Sequence, residues 1–243
     1  MQSEMNSFVA EPAIWQAQLP NRPLSGLTVL LVEDSRYASE AIRLLCLRSG
    51  ARIRRADRVQ TAMRHLQTYR PNIVLVDMGL PDGDGASLIR RIKAAGDQTP
   101  LVLGISGDPE LEDAAISAGA AGFVSKPIDS LAAFQETLLA ALPDRGTRSG
   151  PRLLPNEVVT PDPRALREDL THVADVLTDA RDGASIDYIA RFLTGVARSA
   201  HDTPLAQAAA ALARDHEAGR GVATDLTRIS GMVHERLIAA SRL

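Results

Sequence analysis

Ile73-Val74-Leu75-Val76-Asp77-Met78-Gly79-Leu80-Pro81-Asp82-Gly83 is the stretch whose reading decides the fold. Four apolar, mostly β-branched residues run straight into an aspartate, and the chain then turns through Gly, Pro and Gly. A short continuous apolar run of this kind reads as a strand buried on both faces of a parallel sheet. Asp77 then stands at the carboxyl end of that strand, where open α/β sheets bind their ligands.

Working outward, the same pattern recurs. Leu27–Val32 reads as a strand followed by Glu33-Asp34, and Ala51–Arg54 as a short second strand. Pro100–Ile105 is a further strand ending at Ser106-Gly107, and Ala121–Val124 one ending at Ser125-Lys126-Pro127. Helical periodicity lies between them. Ser35 is placed to cap a helix whose inward positions are Ala38, Ile42, Leu45 and Cys46, and Asp57 to cap a second that stops before Pro71. Gly85–Ala95 is the third, Asp108-Pro109 opens the fourth, and Asp129 or Ser130 caps the last, Leu131–Leu142. Five strand–helix units over residues 25–142 predict an α/β domain, a doubly wound parallel sheet covered on both faces. Right-handed crossovers bring the ends of the Glu33, Asp77, Ser106 and Lys126 strands to one rim.

Residues 1–24 read as an N-terminal extension, with a short helix near Ala13–Gln18 that carries Trp15. Residues 143–162, rich in Pro, Gly, Arg and Ser, read as a linker. Residues 163–243 are all-α: four amphipathic helices starting at Asp162-Pro163, Ser185, Thr203-Pro204 and Thr224, with short connections that predict a four-helix bundle.

The totals exclude several functions. Net charge is -3 over 243 residues, and residues 151–243 hold 11 arginines, no lysine and 13 acids. A polyanion-binding surface or basic recognition helix is therefore not expected. No apolar run is long enough to cross a bilayer, and the N-terminal residues lack the pattern of a secretory leader. The single cysteine, Cys46, fits a reducing cytoplasm. Lysines are confined to Lys93 and Lys126, which makes Lys126, directly after a strand, informative.

Glu33, Asp34 and Asp77 are predicted at adjacent strand ends. Like charges at about 4 Å repel by roughly 4 kcal/mol at an effective dielectric near 20, so the cluster persists only with a cation, a buried ammonium or shifted pKa values. Lys126 can supply an ammonium; a hard divalent ion, Mg²⁺, is the other candidate. Ser106 adds a hydroxyl at the same rim. A carboxylate beside such cations is suited to accepting a phosphoryl group, with Asp77 as nucleophile.

On these residues, namely Val32-Glu33-Asp34, Val76 to Gly83, Ser106 and Gly119 to Pro127, the segment 27–142 resembles a response-regulator receiver domain, a flavodoxin-like fold of two-component signalling in bacteria. The resemblance implies that Asp77 takes phosphate from a histidine kinase or phosphotransfer protein. It implies that Glu33, Asp34, Asp77 and the backbone carbonyl of Gly79 hold Mg²⁺, and that Ser106 and Phe123 switch position on phosphorylation. It implies no enzyme beyond the domain's own phosphoryl acceptance and slow dephosphorylation. Two departures stand out. Gly79 replaces a larger residue, and Leu131–Leu142 carries Glu136 but no base, so the charge pattern that pairs receivers of DNA-binding regulators is incomplete and a homodimer is only one of the options.

The helical half resembles a histidine phosphotransfer (HPt) domain over Ala190–Ala200. Leu193 and Gly195 fit the family's His-x-Leu-Lys-Gly pattern, with Arg191 in place of the His and Thr194 in place of the Lys. The resemblance implies a phosphotransfer fold without its phosphoacceptor, since arginine cannot take phosphate as imidazole does. Asp187, Arg191, Thr194 and Arg198 share one helix face, a candidate docking face for a downstream protein. The leading expectation is a phosphorylation-controlled regulator acting through protein contacts. The alternatives are a phosphorelay intermediate using His201 or His172, and a transcription factor with an unrecognised DNA-binding bundle.

Overall fold

A computed structural model describes residues 22–96, 99–142, 155–179 and 183–240. Its first part alternates strand and helix: β1 (Thr28–Val32), α1 (Arg36–Arg48), β2 (Arg52–Ala56), α2 (Val59–Thr68) and β3 (Ile73–Asp77). A two-strand hairpin follows, β4 (Gly79–Leu80) and β5 (Gly83–Asp84), then α3 (Gly85–Lys93), β6 (Leu101–Ser106), α4 (Glu112–Ser117), β7 (Gly122–Ser125) and α5 (Leu131–Ala141). The main sheet is parallel throughout, ordered β2-β1-β3-β6-β7, which is the flavodoxin-like order once the hairpin is set aside. β3 is buried along its whole length, as a central strand covered on both faces must be. One core packs β1 and β3 residues such as Leu31 and Leu75 against Ile42, Leu45 and Phe134 of α1 and α5. The other packs Val32 and Val76 against Ala62, Leu88 and Ala115 of α2, α3 and α4.

The second part is four helices, α6 (Pro163–Asp179), α7 (Gly183–Ser199), α8 (Thr203–Glu217) and α9 (Ala223–Ala240). Their core gathers Val173, Leu193, Val196, Leu205, Leu212 and Ile229. No helix among the described residues is long and apolar enough to cross a membrane.

Several local expectations are corrected. The second strand is Arg52–Ala56, two residues beyond the predicted end. Asp57 does not cap α2; the Asp82 carboxylate in the β4–β5 turn accepts from the Val59 and Gln60 amides at 2.7 and 3.0 Å, while Asp57 accepts from the Thr61 hydroxyl. Ser130, not Asp129, caps α5. Asp202 caps α8, and α7 and α9 begin before Ser185 and Thr224. Leu24, assigned to the extension, is fully buried in the first core. Residues 157–159 of the expected linker also belong to this domain. Val158 bridges Ser130, the Leu131 amide donates to Glu157 O, and Val159 is buried in the first core. Trp15 and the predicted Ala13–Gln18 helix lie outside the described residues.

Candidate functional site

The parallel topology delivers every predicted rim residue to one place. Glu33 and Asp34 follow β1, Asp77 ends β3, Ser106 ends β6 and Lys126 follows β7. One oxygen from each of Glu33, Asp34 and Asp77 lies within 4.8 Å of the others. Lys126 Nζ answers them, donating to Asp77 Oδ1 at 2.9 Å and standing 2.7 Å from Glu33 Oε2. The one ammonium is therefore shared between two buried carboxylates. The Gly79 amide donates to Asp77 Oδ2 at 3.1 Å, and the Ser106 hydroxyl oxygen accepts from the Asp108 amide at 2.9 Å.

Burial, followed by repulsion from Asp77, pushes the Glu33 carboxyl up to about 8 and that of Asp34 up to about 7. Burial on its own pulls the Lys126 pKa down, but Asp77 and Glu33 reverse this and hold the ammonium above the ordinary lysine range. With all three carboxylates ionised the site would carry more negative charge than its one ammonium can neutralise, which together with burial is why Glu33 and Asp34 hold their protons so far up the scale. Three convergent carboxylates around a single ammonium fit a hard divalent cation such as Mg²⁺. Phe123 lies behind the rim, packed toward Gly104, where an added Cβ would meet its Cδ2 at 3.1 Å.

The helical bundle sits directly over this rim, which the sequence did not reveal. The Tyr188 hydroxyl of α7 donates to Asp34 Oδ2 at 3.0 Å, and His172 Nε2 of α6 lies 3.2 Å from the same hydroxyl. The Asp169 carboxylate of α6 accepts from the Ser35 hydroxyl and the Arg36 and Tyr37 amides at 2.8, 2.8 and 2.9 Å. Glycines set the separation. A Cβ at Gly107 would come 3.1 Å from the Gly195 Cα, and one at Gly195 would come 3.3 Å from Lys126 Nζ. A Cβ at Gly79 would lie 3.4 Å from the Arg191 Cβ. Asp77 is 7% exposed beneath this cover.

The expected docking face is therefore corrected. Asp187, Arg191, Thr194 and Arg198 do not form one open face: α7 lies against the receiver rim, Thr194 is buried, and only Arg191 stays exposed. The Thr194 hydroxyl donates to Ala190 O at 2.7 Å; Asp187 turns to His216 at 3.5 Å; Arg191 and Arg198 lie against Gly79 and Gly107. His201, with φ 56, pairs with Asp129 at 2.9 Å. Tyr188 and Asp169 were missed. The available signal was Gly195, an interior helix glycine, which is unfavourable by roughly 1 kcal/mol relative to Ala unless something approaches closely.

Residues 29–137 match the family model of the response regulator receiver domain. This segment is a receiver domain. The chain is 30% identical over 123 residues to the KDP operon transcriptional regulatory protein KdpE of Escherichia coli K12, covering 51% of this chain and 54% of that protein. It is 34% identical over 102 residues to the virulence transcriptional regulatory protein PhoP of Salmonella typhimurium 14028s, covering 42% and 46%. The chain thus spans about half the length of these curated relatives, and only the receiver aligns. Among solved structures, a putative response regulator from Chloroflexus aurantiacus is similar at 25% identity and TM-score 0.43, covering 47% of this chain and 96% of that one.

Proposed function

We propose that this receiver accepts a phosphoryl group on Asp77 from a histidine kinase or phosphotransfer protein, and that its helical bundle acts through protein contacts rather than DNA. The observation that carries the first part is the Asp77–Lys126 pair at 2.9 Å beside the Glu33–Asp34 cluster. An Asp77 carboxylate oxygen attacks the phosphorus of the donor's phosphohistidine. The O–P bond forms as the P–N bond breaks, and the bond's electron pair leaves with the imidazole, which takes up a proton. Lys126 stabilises charge on the transferring group, and the Gly79 amide and Ser106 hydroxyl lie at the same rim as donors. Mg²⁺, held by Glu33, Asp34, Asp77 and the Gly79 carbonyl, would neutralise further charge on the phosphoryl oxygens. Ser106 and Phe123 are the residues expected to move when Asp77 changes state. The protein is not an enzyme beyond this self-modification, and works in the cytoplasm.

The bundle reads as an HPt-like domain that has lost its phosphoacceptor. In support, Arg191 and Gly195, the positions matched to the HPt His and Gly, both face a receiver rim. The relatives' names describe transcriptional regulators, but the acid excess over residues 151–243 opposes DNA binding.

The test is incubation of the full chain with acetyl phosphate and Mg²⁺, followed by Phos-tag electrophoresis. Wild type shifts and Asp77→Asn does not; equal behaviour of the two defeats the reading. A phosphorelay through His172 is the second reading, favoured by its 3.2 Å contact with the Tyr188 hydroxyl that binds Asp34. It requires an acid-labile, base-stable phosphate that His172→Gln removes.

A further inference from the structure

The receiver's acceptor site continues into the bundle. A cavity of about 310 Å³ is shared between the two parts, and its walls include Asp77, Ser106 and Lys126 from the receiver and Arg191, Arg198 and Arg214 from the bundle. Arg191 stands beside Gly79 at the acceptor end. A Cβ at Gly79 would lie 3.7 Å from the Arg191 Cδ and 3.7 Å from Asp77 Oδ2, so the guanidinium stem and the acceptor carboxylate flank the same point. Arg198 flanks the opposite edge, its Cδ 3.4 Å from a Cβ at Gly107, the residue after Ser106. Gly79 and Gly107 are thus the openings through which two bundle arginines come close to the rim.

Among the described residues, Arg191 and Arg198 make no side-chain hydrogen bond and no ion pair within 4.0 Å, whereas Arg36, Arg43, Arg48, Arg58, Arg220 and Arg236 all do. Of the carboxylates that line the cavity, Asp77 is engaged by Lys126 and the Gly79 amide, and Asp34 by Tyr188. A phosphoryl group on Asp77 projects beyond the carboxylate into this cavity and brings three further acceptor oxygens. Planar guanidinium forks match such oxygens better than any other side chain.

We propose that Arg191 and Arg198 are phosphoryl-binding residues supplied by the bundle: together with Lys126 they bind the tetrahedral anion on Asp77 across the domain boundary. This rests on the reading of Asp77 as the phosphoacceptor. The ligand class is a phosphoryl group or its tetrahedral mimic, and its binding is reciprocally coupled to bundle docking, because the anion bridges the two parts. Phosphorylation therefore tightens the docked form.

The experiment titrates beryllofluoride into the full chain at saturating Mg²⁺ and follows bound fluoride by ¹⁹F NMR. Wild type, Asp77→Asn, Arg191→Ala, Arg198→Ala, the double alanine variant and Arg191→Lys are compared, with Mg²⁺ affinity in the absence of beryllofluoride measured by calorimetry. Each alanine variant weakens beryllofluoride binding about tenfold, the scale of one charge-assisted hydrogen bond, and the double variant weakens it further. Arg191→Lys restores part of the loss, and Mg²⁺ affinity is not weakened in any arginine variant. Arg191 is exposed, so its truncation leaves the fold intact. Wild-type affinity in the double variant overturns the proposal while leaving the acceptor reading standing. Failure of wild type to bind, or equal binding by Asp77→Asn, overturns both.

Discussion

The Ser35 hydroxyl serves two helices at once: it accepts from the Ala38 amide at 3.0 Å as the cap of α1, and donates to Asp169 of α6 at 2.8 Å. Asp169 also takes the Arg36 and Tyr37 amides, so a carboxylate from the bundle satisfies the start of a receiver helix. The positive end of the α1 dipole favours this charge. Truncation by Asp169→Ala returns these donors to water and loosens the docking of α6. Amide exchange at Arg36 and Tyr37 is expected to accelerate at least tenfold, equivalent to about 1–3 kcal/mol for a charged hydrogen-bond partner. Unchanged protection at both amides would contradict the assignment.

Gly195 is the second determinant of docking. Lys126 Nζ lies 3.3 Å from the position of its missing Cβ, and that ammonium is held by Asp77 and Glu33, so it cannot yield. Gly195→Leu is expected to lift α7 off the rim. Small-angle scattering should show a larger radius of gyration, and phosphotransfer from a protein donor to Asp77 should quicken several-fold, with Gly195→Ala intermediate. A compact, unaltered scattering profile for the leucine variant would count against this.

Within the bundle, Asp202 both caps α8 through the Leu205 amide at 3.1 Å and pairs with Arg236 of α9. Arg236 holds the Asp202 carboxyl below its ordinary range, against an opposing effect of burial. Asp202→Ala should destabilise the bundle by about 1 kcal/mol through the lost cap, read as a lower Tm. Asp202→Asn keeps an acceptor and loses the ion pair. Because the folded pKa is depressed, the pair's stability is present above the unfolded value near 3.9. The gap between wild type and Asp202→Asn should therefore close as the pH falls through the lower, folded pKa. A gap that persists there would exclude the ion pair as its cause.

Cys46 is fully buried in the first core, and burial pushes its thiol up to about 12. At pH 8 it should resist Ellman's reagent for as long as the receiver stays folded, then react with one equivalent in denaturant. Rapid native-state labelling would show that α1 opens locally.

The receiver was legible because each informative residue directly follows a strand: once the apolar runs set the sheet, Glu33, Asp34, Asp77, Ser106 and Lys126 could only share a rim. What stayed hidden depends on contacts between distant elements. Asp82 was read as a turn residue, yet it caps a helix whose first residue precedes it by 23 positions. The polar stripe Asp187–Arg191–Thr194–Arg198 has the same pattern whether it faces water or an acidic rim, so periodicity alone could not assign its neighbour. The close-approach glycines 79, 107 and 195 held that information, but only as a set, and a set of contacts is what one chain position cannot display.

The β-bridge between Ser130 and Val158 has a further consequence. It fastens the chain to the receiver, with Val159 buried in its core, only a few residues before α6 begins at Pro163. The free leash is therefore residues 160–162, at most about 14 Å when fully extended. An undocked bundle remains tethered beside the rim at a high effective concentration. On the proposed reading, a phosphodonor protein seeking Asp77 competes with a tenant that never leaves the doorstep, and its affinity for the rim has to be judged against that local concentration rather than against empty solvent.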